Sequence, residues 1–200
     1  MAPYIICIDG NIGAGKSTIL DEMKNRGYTV YTEDIHDWMW VLDKCYIDST
    51  RWAFTLQIAA LNSMVSQKKY IDQLESQIVF VERCPVSTMV FTNTWYSKGC
   101  LTDDEYILLK KVYELVTWSP NITFMMTTDC NTCYDRMNCR GRTCEKSLSI
   151  EHLKEVQNQY DALYADRVNV IPLKSDEHDA SVKTLADKLE SFVKNVTPKL

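Results

Sequence analysis

The sequence predicts an α/β fold: a five-stranded, mainly parallel sheet with helices on both faces. Three observations carry this. Short apolar runs alternate with longer stretches of helical pattern along the whole chain. The 200 residues are 46% apolar, enough for a single domain over residues 1–200 with a full-sized core. The first apolar run ends in a glycine-rich turn that opens a helical pattern, the order strand, loop, helix.

The elements follow in order. "YIICID" places a first strand at Tyr4–Asp9, and a helix opens at Lys16 after the glycine-rich turn. "YTVYT" gives a second strand, Tyr28–Thr32. A helix opens near Thr50, where Phe54, Ile58, Leu61 and Val65 form an apolar stripe expected in the core. Gln57, Ala60 and Met64 share another face of it. "QIVFV" places a third strand at Gln77–Val81, followed by helices from Pro85 and Asp103. A fourth strand is expected at Asn121–Met126, with helices opening near Asn131 and Ser149. At the second of these, Ser149 caps, although the acidic partner Glu151 comes one residue early for a capping box. A fifth strand, Val168–Ile171, and a helix from Asp179 complete the chain.

Charge and composition exclude several classes. The net charge of −5 argues against a nucleic-acid polymer as partner. No apolar stretch is long enough to span a membrane, and the first apolar run begins at Tyr4, leaving no room for a leader. A cytoplasmic protein is expected, and its eight cysteines are then free thiols. Four of them, Cys130, Cys133, Cys139 and Cys144, crowd into one segment, but only the first pair has zinc-ligand spacing and no histidine joins them.

Four motifs carry chemistry. "GNIGAGKST" fits G-x4-G-K-[ST] at Gly10, Gly15, Lys16 and Ser17, between a strand and a helix. Backbone N–H groups and the helix N-terminus would cradle phosphates, Lys16 would reach the outer ones and Ser17 would face Mg2+. The fold is thus of the P-loop NTPase type. The guanine-reading and sensor motifs of switch GTPases are missing. Second, the third strand ends in Glu82-Arg83-Cys84; its carboxylate suits Mg2+ and its arginine suits a second substrate. Glu33 ends the second strand at the same carboxyl edge, where it can take a proton from an attacking hydroxyl. Third, Arg136 and Arg140 share a helix face, Gly141 breaks the helix and Arg142 follows. This is an Arg-rich lid over about 136–148, built to close on a triphosphate. Fourth, Gln57 can offer both an N–H and a C=O to one flat partner.

This combination resembles the deoxynucleoside kinase family over most of the chain. The marks are "GNIGAGKST", Glu33 with Trp38, Tyr46 followed by "RWAFTLQ", "ERC", and above all "RMNCRGRTCE" before "LSIEHLKEVQNQYDAL". In pocket residues it is closest to the mitochondrial-type thymidine kinase and multisubstrate insect-type branch. The resemblance implies an ATP- and Mg2+-dependent 5′-kinase of deoxynucleosides, acting in nucleotide salvage and DNA precursor synthesis, and a homodimer. It implies Glu33 as base, and Arg83 holding the hydroxyl and incoming phosphoryl group. Ser17 and Glu82 would bind Mg2+. Gly10, Asn11, Gly13, Gly15, Lys16, Ser17, Thr18, Arg136, Arg140 and Arg142 would bind ATP. Tyr46 and Glu145 would hold the sugar 3′-hydroxyl, and Gln57 the base edge with Trp38 beside it. The ring stacked on the base is expected at Phe91; an ungapped count falls on Thr92. Purine- and deoxycytidine-preferring members carry Arg and Asp where this chain has Met64 and Thr88, so a pyrimidine is expected, thymidine first. The alternatives are a thymidylate-type nucleoside monophosphate kinase and a non-catalytic nucleotide-binding regulator.

Overall fold

The computed structural model describes residues 2–32, 38–175 and 181–196. Five parallel strands form one sheet in the order β2-β3-β1-β4-β5. They are β1 (Tyr4–Gly10), β2 (Thr29–Tyr31), β3 (Ile78–Glu82), β4 (Ile122–Thr127) and β5 (Val170–Lys174). The helices are α1 (Lys16–Asn25), α2 (Met39–Ile47), α3 (Ser49–Ile71), α4 (Pro85–Ser97), α5 (Asp103–Val116), α6 (Cys130–Arg140), α7 (Ile150–Tyr164) and α8 (Val182–Val196). A 3-10 turn, Thr143–Ser147, joins α6 to α7.

Strand alternation divides the core between the two faces of the sheet. Ile6, Ile8 and Phe80 face α1 and α8, packing with Leu20, Met23, Leu185 and Leu189. Ile5, Cys7, Val79 and Val81 face the other way, toward Val86 and Val90 of α4 and Val156 and Tyr160 of α7. Full burial of each large aliphatic or aromatic group contributes about 1.5–3 kcal/mol. A separate cluster of Val41, Leu42, Leu56, Leu61, Trp95 and Leu109 holds α2, α3, α4 and α5 together.

The expected strands are present within two residues at most ends, except that β5 runs on to Lys174. The opening expected at Asp179 lies outside the described residues; the described helix starts at Val182 behind Ser181, whose hydroxyl accepts from the Thr184 N–H. α2 has no counterpart in the expectations. Its N-cap, Trp38, makes no side-chain cap, and its sequence "MWVLDKCYI" shows no clean apolar face. On α3 the expected order of faces is corrected. Ala53, Leu56, Gln57, Leu61, Met64 and Gln67 are buried, whereas Phe54, Ile58 and Val65 are only half-buried.

At the N-terminus of α7, Ser149 caps the His152 N–H at 3.3 Å. Lys98 Nζ lies 2.6 Å from His152 Nδ1. An ammonium can only donate, so Nδ1 accepts and the ring is neutral. Burial, and then the Lys98 charge, lower the His152 pKa from 6.5 to about 4. The unfolded chain takes up this proton near pH 6.5, the folded chain only near pH 4. Stability is therefore full above pH 6.5 and falls as pH drops through that window, by at most about 1.4 kcal/mol per pH unit. Denaturant midpoints of His152→Gln should depend less on pH between 6.5 and 4.5 than those of the unaltered protein.

Candidate active site

The carboxyl ends of β2 and β3, the loop after β1, the start of α1, the body of α3 and the lid all open onto one cavity of about 1130 Å3. Pockets for one small ligand span roughly 300–1,000 Å3. This cavity lies just above that range and runs from the glycine-rich loop to α3.

At one end is the glycine-rich loop. Gly15 has φ 98° and caps α1. Gly13 has φ 78°, and a Cβ there would lie 2.2 Å from the carbonyl oxygen of Cys133. Only glycine allows α6 to rest directly on the loop, and this contact sets the lid helix against the phosphate site. Lys16 is 5% exposed and donates to the carbonyls of Gly10 at 3.1 Å and Asn11 at 2.9 Å. Ser17 Oγ donates to the Glu82 carboxylate at 3.1 Å. Two hard oxygen donors from neighbouring elements thus converge, a set that suits Mg2+.

Arg83 follows β3. Its φ of 62° is the one positive value at a non-glycine residue among those described. Such a conformation costs about 1–2 kcal/mol and persists where surrounding contacts enforce it. Here the Arg83 N–H extends the ladder to Ile8 O at 3.0 Å, while the guanidinium carbon lies 4.9 Å from the centre of the Phe91 ring on the cavity wall. Beyond it the wall carries Trp38, Tyr46, Gln57, Thr88 and Phe91. Gln57 is buried, and its carbonyl accepts from Thr92 Oγ1 at 3.3 Å. Burial first, and then the Glu145 charge, raise the pKa of the Tyr46 hydroxyl, which stays protonated at neutral pH.

The lid supplies Arg136, Arg140 and Arg142. Arg140 Nη2 donates to both Glu145 oxygens, at 2.6 and 2.8 Å, and Arg142 Nη1 to one of them at 3.4 Å. The guanidiniums are therefore not left to repel one another; a buried carboxylate holds two of them. The described wall presents Lys16 and four arginines against Glu82 and Glu145, an excess of positive charge inside an acidic chain.

The family model for deoxynucleoside kinases matches residues 6–199. The chain belongs to the deoxynucleoside kinase family. A protein of invertebrate iridescent virus 3 that carries a kinase name is 33% identical over 160 residues, 80% of this chain and 81% of that one. Human mitochondrial thymidine kinase 2 is 25% identical over 191 residues, 87% of this chain and 71% of its own. Deoxyadenosine kinase from M. mycoides, solved with dCMP and dCDP, superposes with a TM-score of 0.83 at 23% identity, covering 96% of this chain and 99% of that one. That likeness shows the shared fold. This deoxynucleoside kinase is an enzyme that binds nucleotides, and among its described residues no helix is long and apolar enough to cross a membrane.

Most sequence-predicted site residues of this kinase line the cavity, but three do not. Asn11 is turned away: its amide nitrogen donates to Leu153 O at 2.8 Å, stitching the loop to α7. Gly10 lies behind the wall with its N–H on Asp9 Oδ1 at 2.8 Å. The loop's cavity-facing part is Gly13, Gly15, Lys16, Ser17 and Thr18. Met64 is buried away from the wall, where Ala60 takes the place, and its carbonyl accepts from the Trp118 indole at 3.1 Å. Glu33 lies outside the described residues. Of Phe91 and Thr92, the wall contains Phe91. Sequence reasoning missed Leu42, Leu56, Tyr70 and Trp95 on the wall, and the buried group around Asp9 behind it. The cysteines of the lid segment range from buried Cys133 to exposed Cys139, and all eight are free.

The Gly13 contact yields a test. Gly13→Ala drives a methyl group into the Cys133 carbonyl and should weaken ATP binding at least about tenfold, read by fluorescence titration, with a lowered Tm.

Proposed function

We propose that this kinase transfers the γ-phosphoryl group of ATP to the 5′-hydroxyl of a pyrimidine deoxynucleoside, thymidine first, to give the 5′-monophosphate for nucleotide salvage. The observation that carries the reading is the single cavity onto which the glycine-rich loop, Arg83, Gln57 and the lid arginines all open. ATP would lie on Gly13–Thr18 under the lid. The nucleoside would lie along α3, its base edge on Gln57, its ring against Phe91 and its sugar at Tyr46 and Glu145.

The residues then divide the work of an in-line transfer. Glu33, assigned from the sequence, takes the hydroxyl proton. Arg83 holds the attacking oxygen and the incoming phosphoryl group. Lys16 and the lid arginines hold the negative charge that spreads over the transferring group. Ser17 and Glu82 are the residues that would hold Mg2+, which would supply positive charge against the phosphates. Glu145 gives Arg140 and Arg142 three of its roughly four lone-pair sites, which leaves one on Oε2 for a sugar hydroxyl.

Thr88 and Ala60, both neutral, line the wall near Gln57 and favour a base without a charged partner. Met64, set back from the wall, lends no support. Initial rates should be highest with thymidine or deoxyuridine among the deoxynucleosides; a higher rate with thymidine monophosphate would overturn the reading in favour of a monophosphate kinase. Glu33→Gln should lower kcat at least about 100-fold and leave nucleoside affinity within about threefold.

The homodimer is proposed through α5 and the adjoining α3 face. Ile107, Leu108 and Leu115 are 50%, 48% and 85% exposed, and Phe54, Ile58 and Val65 are half-buried. Leu108→Glu with Leu115→Glu should shift sedimentation from dimer to monomer.

A further inference from the structure

We propose that Tyr160 is a positioning residue for phosphoryl transfer: its hydroxyl, anchored on the buried Asp9 carboxylate, sets the direction of the Arg83 guanidinium. The proposal rests on the reading that Arg83 faces the reacting hydroxyl.

Asp9 ends β1 with no exposed surface. Four donors saturate its two oxygens: Gly10 N at 2.8 Å and Tyr160 Oη at 2.8 Å on Oδ1, and Ser87 Oγ at 2.5 Å and Tyr164 Oη at 2.7 Å on Oδ2. Tyr160 and Tyr164 lie one turn apart on α7 and each donates to one carboxylate oxygen, but their second partners differ: Tyr164 meets Cys84 Sγ at 3.6 Å. Tyr160 also accepts from Arg83 Nη1 at 2.6 Å.

A phenol has one proton and arginine has no acceptor. The chain of bonds can run only one way, from Arg83 to Tyr160 to Asp9. Arg83 Nη1 stands 3.9 Å from Asp9 Oδ1, too far for a direct hydrogen bond. The Tyr160 oxygen thus passes the carboxylate's pull to the guanidinium while keeping the two apart. On the other side the Phe91 ring and the left-handed backbone at Arg83 fix the guanidinium's base. Without the hydroxyl, the Asp9 carboxylate, 3.9 Å from Nη1, would draw the guanidinium toward itself and away from its direction in the cavity. A shift of about 1 Å in a group that orients reactants can cost on the order of 100-fold.

Three variants test this by steady-state kinetics and thermal melting. Tyr160→Phe and Tyr164→Phe each delete one hydroxyl from Asp9, and both should lower Tm. Only Tyr160→Phe should lower kcat, by about tenfold or more, with KM for ATP within about twofold. Arg83→Lys should lower kcat further, and adding Tyr160→Phe to it should cost little more. Equal loss of kcat in the two Phe variants, or none in Tyr160→Phe, overturns the proposal. Unchanged kcat in Arg83→Lys overturns the reading of Arg83 itself, and the proposal with it. Should Tyr160→Phe not fold, Asp9→Asn carries the test: it removes the anchor's charge and should lower kcat at saturating ATP, with little further loss when added to Arg83→Lys, and normal kcat there also overturns the proposal.

Discussion

A carboxylate with no exposed surface holds the working end of this kinase together. Burying a charge at the end of β1 costs several kcal/mol unless each lone pair is met. Asp9 meets the demand by drawing in the first N–H of the phosphate loop, a hydroxyl from the start of α4 and two from α7. α4 and α7 pack together on the same face of the sheet, so one charge fixes their position against each other and against the loop. Cys7 and Cys84 also lie there, with ligand atoms within 4.8 Å of one another and of Asp9. Burial raises the Cys7 pKa, so it stays a thiol. The Asp9 oxygens are already saturated, and the group is a structural one.

The cavity applies the opposite rule. The chain is acidic overall, yet the wall concentrates cations where a triphosphate would lie. In a low-dielectric recess such charges repel strongly unless balanced. Glu145 balances two of them, and Lys16 rests on loop carbonyls. Lys16 sits on neutral carbonyls, while Arg140 sits in a charge-assisted pair with Glu145, so the two cations are held with different strength. An arriving phosphate can exchange with these partners and meet groups already close to their final positions, which reduces the ordering cost of binding.

The sheet was legible because a parallel strand buried on both faces is a short apolar run, and five such runs stand out at sufficient spacing. Helix starts were legible where a cap marks them: Ser149 before α7, and Pro85 at the first turn of α4. α2 escaped for the converse reason. Its neighbours Trp95, Leu56 and Leu109 make it a helix through packing, with neither cap nor clean periodicity in its own residues. On α3, Leu61 is buried as its spacing predicts, but Phe54, Ile58 and Val65 are not, because polar Gln57 and Gln67 mark the rest of the side that is buried. Burial there is determined by α4 and the cavity, not by hydropathy along α3.

For the site, the pattern of legibility follows the range of the interaction. Groups whose job is set by local backbone geometry, such as Gly13, Gly15, Lys16 and Ser17, were visible as a motif, since the loop must fold in one way to bind phosphate at all. Asn11 and Met64 carry the right spacing but the wrong direction, since spacing selects a face of an element and cannot say which part of that face meets a void. Tyr160 was invisible for a stronger reason. Its partners, Arg83 and Asp9, lie 77 and 151 residues away, and a tyrosine at a helical core spacing looks like any other apolar filler. Only the assembled α4–β1–α7 junction gives its hydroxyl a donor on one side and an acceptor on the other. What sets it apart from Tyr164, one turn on, is that its second partner is Arg83 and not Cys84, a choice that no local pattern encodes.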